Sequence, residues 1–136
     1  MEYIGLDHVA INVRDIDRAL DFYCNVLGLS AVRVEEFKAG KVTFPSVRIS
    51  DGTILDFMPI PDAAINRDTN SPGVEAMNHL CMVTSEGGFA ELMGRLQTHA
   101  VEAEQGPVTR WGARGSGTSV YLLDPEGNRV EVRYYS

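Results

Sequence analysis

The chain says much the same thing twice. Leu6-Asp7-His8-Val9-Ala10-Ile11 returns as Met77-Asn78-His79-Leu80-Cys81-Met82, at an offset of 71 (79 minus 8). Asp51-Gly52-Thr53-Ile54-Leu55-Asp56-Phe57 returns as Glu126-Gly127-Asn128-Arg129-Val130-Glu131-Val132, at an offset of 75 (131 minus 56). Internal duplication explains these matches better than coincidence, so the repeat constrains the fold more than any single motif does.

Each copy has the same order of elements. Residues 4 to 13 alternate, with Val9, Ile11 and Val13 on one side and Leu6, His8, Ala10 and Asn12 on the other, which predicts a half-buried strand. Asp15 can cap a helix to about residue 26, with Ile16, Ala19, Leu20, Tyr23 and Leu27 at helical spacing and Gly28 as its stop. Strands are expected at about 31 to 38, 43 to 50 and 53 to 58, the last two joined by Asp51-Gly52. This makes a βαβββ unit of residues 1 to 60. Residues 61 to 75, rich in Pro, Asn, Asp and Gly, read as a linker. A second βαβββ unit then fills 76 to 136, with a strand at 77 to 84, a helix near 87 to 98 and a closing hairpin of 118 to 123 and 129 to 134. The fold class expected is α+β: a curved, barrel-like mixed sheet with its helices outside, forming one domain over residues 1 to 136.

Bulk properties narrow the partners. A formal net charge of −7, with both signs mixed along the chain, argues against nucleic acid or an anionic membrane and leaves a small solute as the natural partner. Cys24 and Cys81 make neither a disulfide framework nor a CxxC site. With no run of transmembrane length and with Glu2 and Asp7 where a secretion signal would be basic and then apolar, a reducing cytoplasm is the expected home.

The chemistry lies opposite the apolar faces. If Leu55 and Phe57, and Val130 and Val132, pack on their helices, then His8, Asp56, His79 and Glu131 line the concave side. Two imidazoles with one or two carboxylates suit a divalent Fe, Mn, Zn, Ni or Co ion. Folding the last hairpin about Glu126 sets Tyr121 across from Glu131, where a phenol can donate to developing charge; the same fold about Asp51 sets Ser46 across from Asp56. A lone strand histidine is more often a satisfied core side chain than a ligand, but two in repeat register, each with a matched carboxylate, point to metal. Cys81 shares the face of His79, yet free cysteine is usually inert core, and His99 belongs to its helix end. Residues 106 to 115 read as a glycine-rich loop in which Arg110, Trp111 and Arg114 can stack on and clamp a substrate, and Arg48 is a further anion-binding candidate.

The segments "LDHVAINVRDIDRALDFYCNVLGL", "MNHLCMVT" and "SVYLLDPEGNRVEVRYY" resemble the vicinal oxygen chelate superfamily, which includes glyoxalases, type I extradiol dioxygenases and bleomycin-binding proteins. That resemblance implies metal ligation at His8, His79 and Glu131 and a substrate-side role for Tyr121. It also implies a homodimer whose sites are shared between subunits. Asp56 stands where relatives carry Glu, Gln or His and is one methylene shorter than Glu. With Asp56 as a fourth ligand, an ion keeps two adjacent positions for a substrate chelating through neighbouring oxygens, which suits lyase or isomerase chemistry. Without it, His8, His79 and Glu131 form a facial triad suited to dioxygenase chemistry, with Glu131 and Tyr121 as the catalytic candidates in either case. The rival is a metal-free protein that sequesters a small molecule.

Overall fold

The first strand, β1 (His8–Val13), buries Ile11 and Val13 and exposes His8, Ala10 and Asn12, as its alternation requires. Asp15 caps the helix that follows, its carboxylate accepting from the Arg18 N–H. This helix, α1 (Ile16–Leu20), runs on into a wider π-helical stretch over Asp21–Val26 and ends before Gly28, whose φ of 78° suits a residue without a side chain. The computed structural model describes residues 1–61 and 77–136; the linker expected at 61 to 75 lies outside them apart from residue 61.

Beyond Gly28 the first unit departs from the expected order. In place of a strand over 31 to 38 there is a short strand, β2 (Ser30–Val32), and a helix, α2 (Val34–Lys38). Arg33 takes a left-handed conformation (φ 59°) that ends the extended chain, and Val34 and Phe37 then share one helical face. The alternation of Val32 and Val34 is thus half strand and half helix. The expected strand at 43 to 50 is shorter, β3 (Ser46–Ser50), and turns through Asp51-Gly52 into β4 (Thr53–Pro59).

The second unit comprises β5 (Leu80–Val83), α3 (Glu86–Thr98), β6 (Gln105–Gly112), β7 (Gly115–Leu123) and β8 (Arg129–Tyr134). Ser85 caps α3 through the Gly88 N–H. The strand β6 corrects the expected loop at 106 to 115. Gly106, Pro107 and Gly112 read as loop punctuation, but β6 is an edge strand, where a proline costs no ladder bond and a bulge between Gln105 and Val108 absorbs the irregularity.

The strands form two open four-stranded mixed sheets, ordered β1-β4-β3-β2 and β5-β8-β7-β6. The chain divides into two compact units, Met1–Arg67 and Asp68–Ser136, one sheet to each. Both units have the same register. β1 runs parallel to β4 with His8 opposite Ile54, and β5 runs parallel to β8 with Leu80 opposite Val130. In the first unit the carboxylate of Asp56 therefore lies two residues beyond the position facing its histidine. Each sheet buries one face under its helix. In the first, Leu55 and Phe57 are fully buried and Tyr23 lies 5.2 Å from Phe57; in the second, Phe89 lies 5.0 Å from Tyr134. Burying side chains of this size contributes about 2 kcal/mol each. It also decides which residues are left for the other face.

Candidate metal and substrate site

Alternation puts His8, Ala10 and Asp56 on the face of the first sheet away from α1, and Glu131 and Arg133 on the face of the second away from α3. Ser46 stands opposite Asp56 and Tyr121 opposite Glu131, as expected from folding each hairpin about its centre.

In the second unit the His79 Nε2 lies 3.0 Å from the Glu131 Oε2. The Tyr121 ring packs edge-on to the imidazole, with centroids 5.6 Å apart. The other imidazole nitrogen, Nδ1, is 2.7 Å from the Asn78 Oδ1. With Nδ1–H donating to that amide oxygen, Nε2 is left facing the Glu131 carboxylate. First-row cations bind nitrogen and oxygen ligands at about 2.1 Å, and two such donors at right angles are about 3.0 Å apart. The pair therefore fits a divalent cation in spacing and in donor chemistry.

The first unit repeats the device. The His8 Nδ1 is 2.7 Å from the Asp7 Oδ1, and this hydrogen bond, helped by the charge of Asp56, raises the pKa of the exposed His8 above its ordinary value. In both copies the preceding residue holds Nδ1 and leaves Nε2 for a ligand, an arrangement that orients metal-binding histidines. The repeat marks Asp7 and Asn78 as matched neighbours of the histidines, but only their side-chain geometry shows that they anchor the rings. Each buried carboxylate is also held by a serine: the Ser46 Oγ donates to the Asp56 Oδ1 and the Ser119 Oγ to the Glu131 Oε1, both at 2.6 Å. Among the described residues no group of three or more His, Cys, Asp or Glu side chains gathers as a metal site. Among His8, Asp56, His79 and Glu131, the close imidazole–carboxylate pair is that of His79 and Glu131 in the second unit.

Cys81 lies directly across from Glu131 and is exposed, which corrects the expectation of inert core. Desolvation and the Glu131 charge nevertheless push its thiol up to about 12. At pH 8 almost none of it is thiolate, so iodoacetamide should modify Cys81 far more slowly than an ordinary exposed cysteine. Glu131→Gln should speed that reaction, as peptide mass mapping over time would show. Equal rates in the two proteins would remove the carboxylate as the cause.

The expected substrate clamp is rearranged. Arg110 and Trp111 are successive residues of β6 and point to opposite faces, so they cannot grip one planar group together. Trp111 is 83% exposed, and Arg110 turns back to the Thr109 carbonyl. Arg114 sits in the two-residue turn between β6 and β7, its guanidinium over the Tyr135 ring. Arg48 lies on the face of Asp56 but donates to the carbonyls of Ser50 and Asp51.

The profile of the family described as the Glyoxalase/Bleomycin resistance protein/Dioxygenase superfamily matches residues 5–132. The chain belongs to this superfamily. It is 38% identical over 134 residues to a probable lactoylglutathione lyase of Synechocystis, covering 92% of this chain and 91% of that one. It is 32% identical to a glyoxalase domain-containing protein of Mycosarcoma maydis, covering 96% and 68%. Among solved structures it resembles a glyoxalase/dioxygenase from Nostoc punctiforme with a TM-score of 0.75, 25% identity and coverage of 97% and 91%. Superfamily membership agrees with the α+β architecture. No helix among the described residues is long and apolar enough to cross a membrane.

Proposed function

We propose that this protein is a divalent-metal-dependent enzyme acting on a small substrate that chelates through neighbouring oxygens, by lyase or isomerase chemistry. The observation that carries this reading is the duplicated half-site: in each unit Nδ1 is anchored by the residue before the histidine, which leaves Nε2 for the ion. The likeness to a probable lactoylglutathione lyase supports the same chemistry. His8, His79 and Glu131, with Asp56 as the fourth, would hold an Fe, Mn, Zn, Ni or Co ion. When bound, such an ion acts as a Lewis acid that stabilises negative charge developing on substrate oxygen. The imidazoles supply neutral donors and the two carboxylates balance the charge of the ion. Glu131 is the carboxylate proposed to act in catalysis, its Oε2 standing 3.0 Å from the His79 Nε2. Tyr121, packed edge-on to His79, keeps that ring in place and offers a phenol near the reacting atoms. A cytoplasmic homodimer with shared sites belongs to this proposal.

The fork between lyase and dioxygenase turns on Asp56. If Asp56 is a ligand, Asp56→Asn should weaken Mn²⁺ or Co²⁺ binding by about tenfold or more and lower turnover of an α-keto hemithioacetal by about 100-fold. Unchanged affinity, together with oxygen consumption on catechols, would move the assignment to ring cleavage. Small-molecule binding with neither metal uptake nor turnover would make it a sequestration protein.

A further inference from the structure

The two oxygens of Glu131 keep different company. Oε2 faces His79, whereas Oε1 accepts from the Ser119 hydroxyl at 2.6 Å and lies 3.6 Å from the Arg133 Nη1. Arg133 is 3% exposed, and its guanidinium is built into the sheet. Nη1 donates to the Trp111 carbonyl at 3.0 Å and Nη2 to the Arg110 carbonyl at 2.6 Å, while the Tyr135 ring centroid lies 4.7 Å away. Two glycines make the room: a Cβ on Gly112 would come within 2.3 Å of Nη1, and one on Gly117 within 2.8 Å of Nη2. Nε has no hydrogen-bond partner among the described residues. A cation buried among neutral carbonyls needs a counter-charge, and the carboxylate of Glu131 provides it.

The other repeat lacks this device. Asp56 has its serine, but the position two residues on, which corresponds to Arg133, is Met58.

We infer that Ser119 and Arg133 are positioning residues that occupy the Oε1 of Glu131 and so oblige it to bind metal through Oε2 alone. This rests on the reading of Glu131 as a metal ligand. The clamp makes the two carboxylates unequal: Glu131 is held by a serine and a buried arginine and offers one oxygen, while Asp56 is held by its serine alone. It also ties the β6–β7 hairpin to the site, because the carbonyls holding Arg133 belong to that hairpin.

The test uses chelator-stripped protein titrated with Co²⁺, followed by calorimetry and by visible absorption, which reports the ligand field. Wild type should bind Co²⁺, and His79→Ala should lose it. Ser119→Ala should bind about 10-fold more weakly or worse, with an altered visible spectrum as the carboxylate becomes free to bind through both oxygens, with far-ultraviolet dichroism unchanged and a melting temperature lowered by a few degrees from the lost buried hydrogen bond. Arg133→Lys, which keeps the charge but not the fork, should show the same spectral change to a lesser degree. Wild-type affinity and spectrum in both variants would overturn the clamp while leaving the metal reading intact. No Co²⁺ uptake by wild type would overturn both. If Arg133→Lys fails to fold, Ser119→Ala decides alone, since it removes one hydroxyl and no charge.

Discussion

His79→Ala is expected to abolish stoichiometric metal binding, lowering affinity for Mn²⁺ or Co²⁺ by about 1,000-fold or more, an order of magnitude beyond the usual cost of losing an outer partner. The imidazole lies 3.0 Å from a Glu131 carboxylate that is only 4% exposed, so its loss removes one donor and leaves the Oε2 of another without its neighbour. Arg133 and Ser119 still hold the Oε1, so the fold should survive and the defect should be specific to metal. The matched His8→Ala belongs to the other unit. If one ion uses both half-sites, each variant by itself should lose the whole stoichiometric ion, as calorimetry and elemental analysis would show. Loss in only one variant would mean that the repeats do not share an ion, and full retention in both would end the metal proposal.

Gly117→Ala is expected to cost about 2–5 kcal/mol of stability, the sum of overpacking and of displaced buried hydrogen bonds. A Cβ there would lie 2.6 Å from the Tyr134 carbonyl oxygen, which is backbone of the neighbouring strand and cannot swing aside, and 2.8 Å from the Arg133 Nη2. Relief requires β7 and β8 to separate or Arg133 to leave its carbonyls. For a chain of this length the melting temperature should fall by about 10 °C. Gly94→Ala is the control of opposite sign. It lies exposed in α3 with nothing within 4 Å of the place a methyl group would take, so the change should stabilise by about 0.5–1 kcal/mol through helix propensity. Thermal melts of the two variants compare them directly. A Gly117→Ala protein within about 0.5 kcal/mol of wild type would show that the packing around Arg133 yields easily, against the usual density of protein interiors.

The half-sites are legible in the sequence because they depend on period and register. His8 and His79 stand out by repetition, and Tyr121 and Ser46 fall opposite Glu131 and Asp56 because a hairpin pairs residues equidistant from its centre. Ser119 is not legible in this way. It is paired with Arg133 across the ladder and reaches Glu131 diagonally, which the extra methylene of Glu allows and pairing rules do not suggest. The strand β6 is hidden by its glycines, which look like loop residues until Arg133 is seen to occupy the space beside Gly112.

What the sequence determined by itself was the duplication, the α+β class, and the face on which His8, Asp56 and Glu131 fall, because side-chain direction along a strand follows from local geometry with a period of two. Only the tertiary structure decided which oxygen of Glu131 is taken, which neighbours hold the imidazoles, and that Arg133 is buried with its guanidinium on the carbonyls of Arg110 and Trp111. Those outcomes depend on the distances between side chains from different strands, which packing sets and no single stretch of chain encodes.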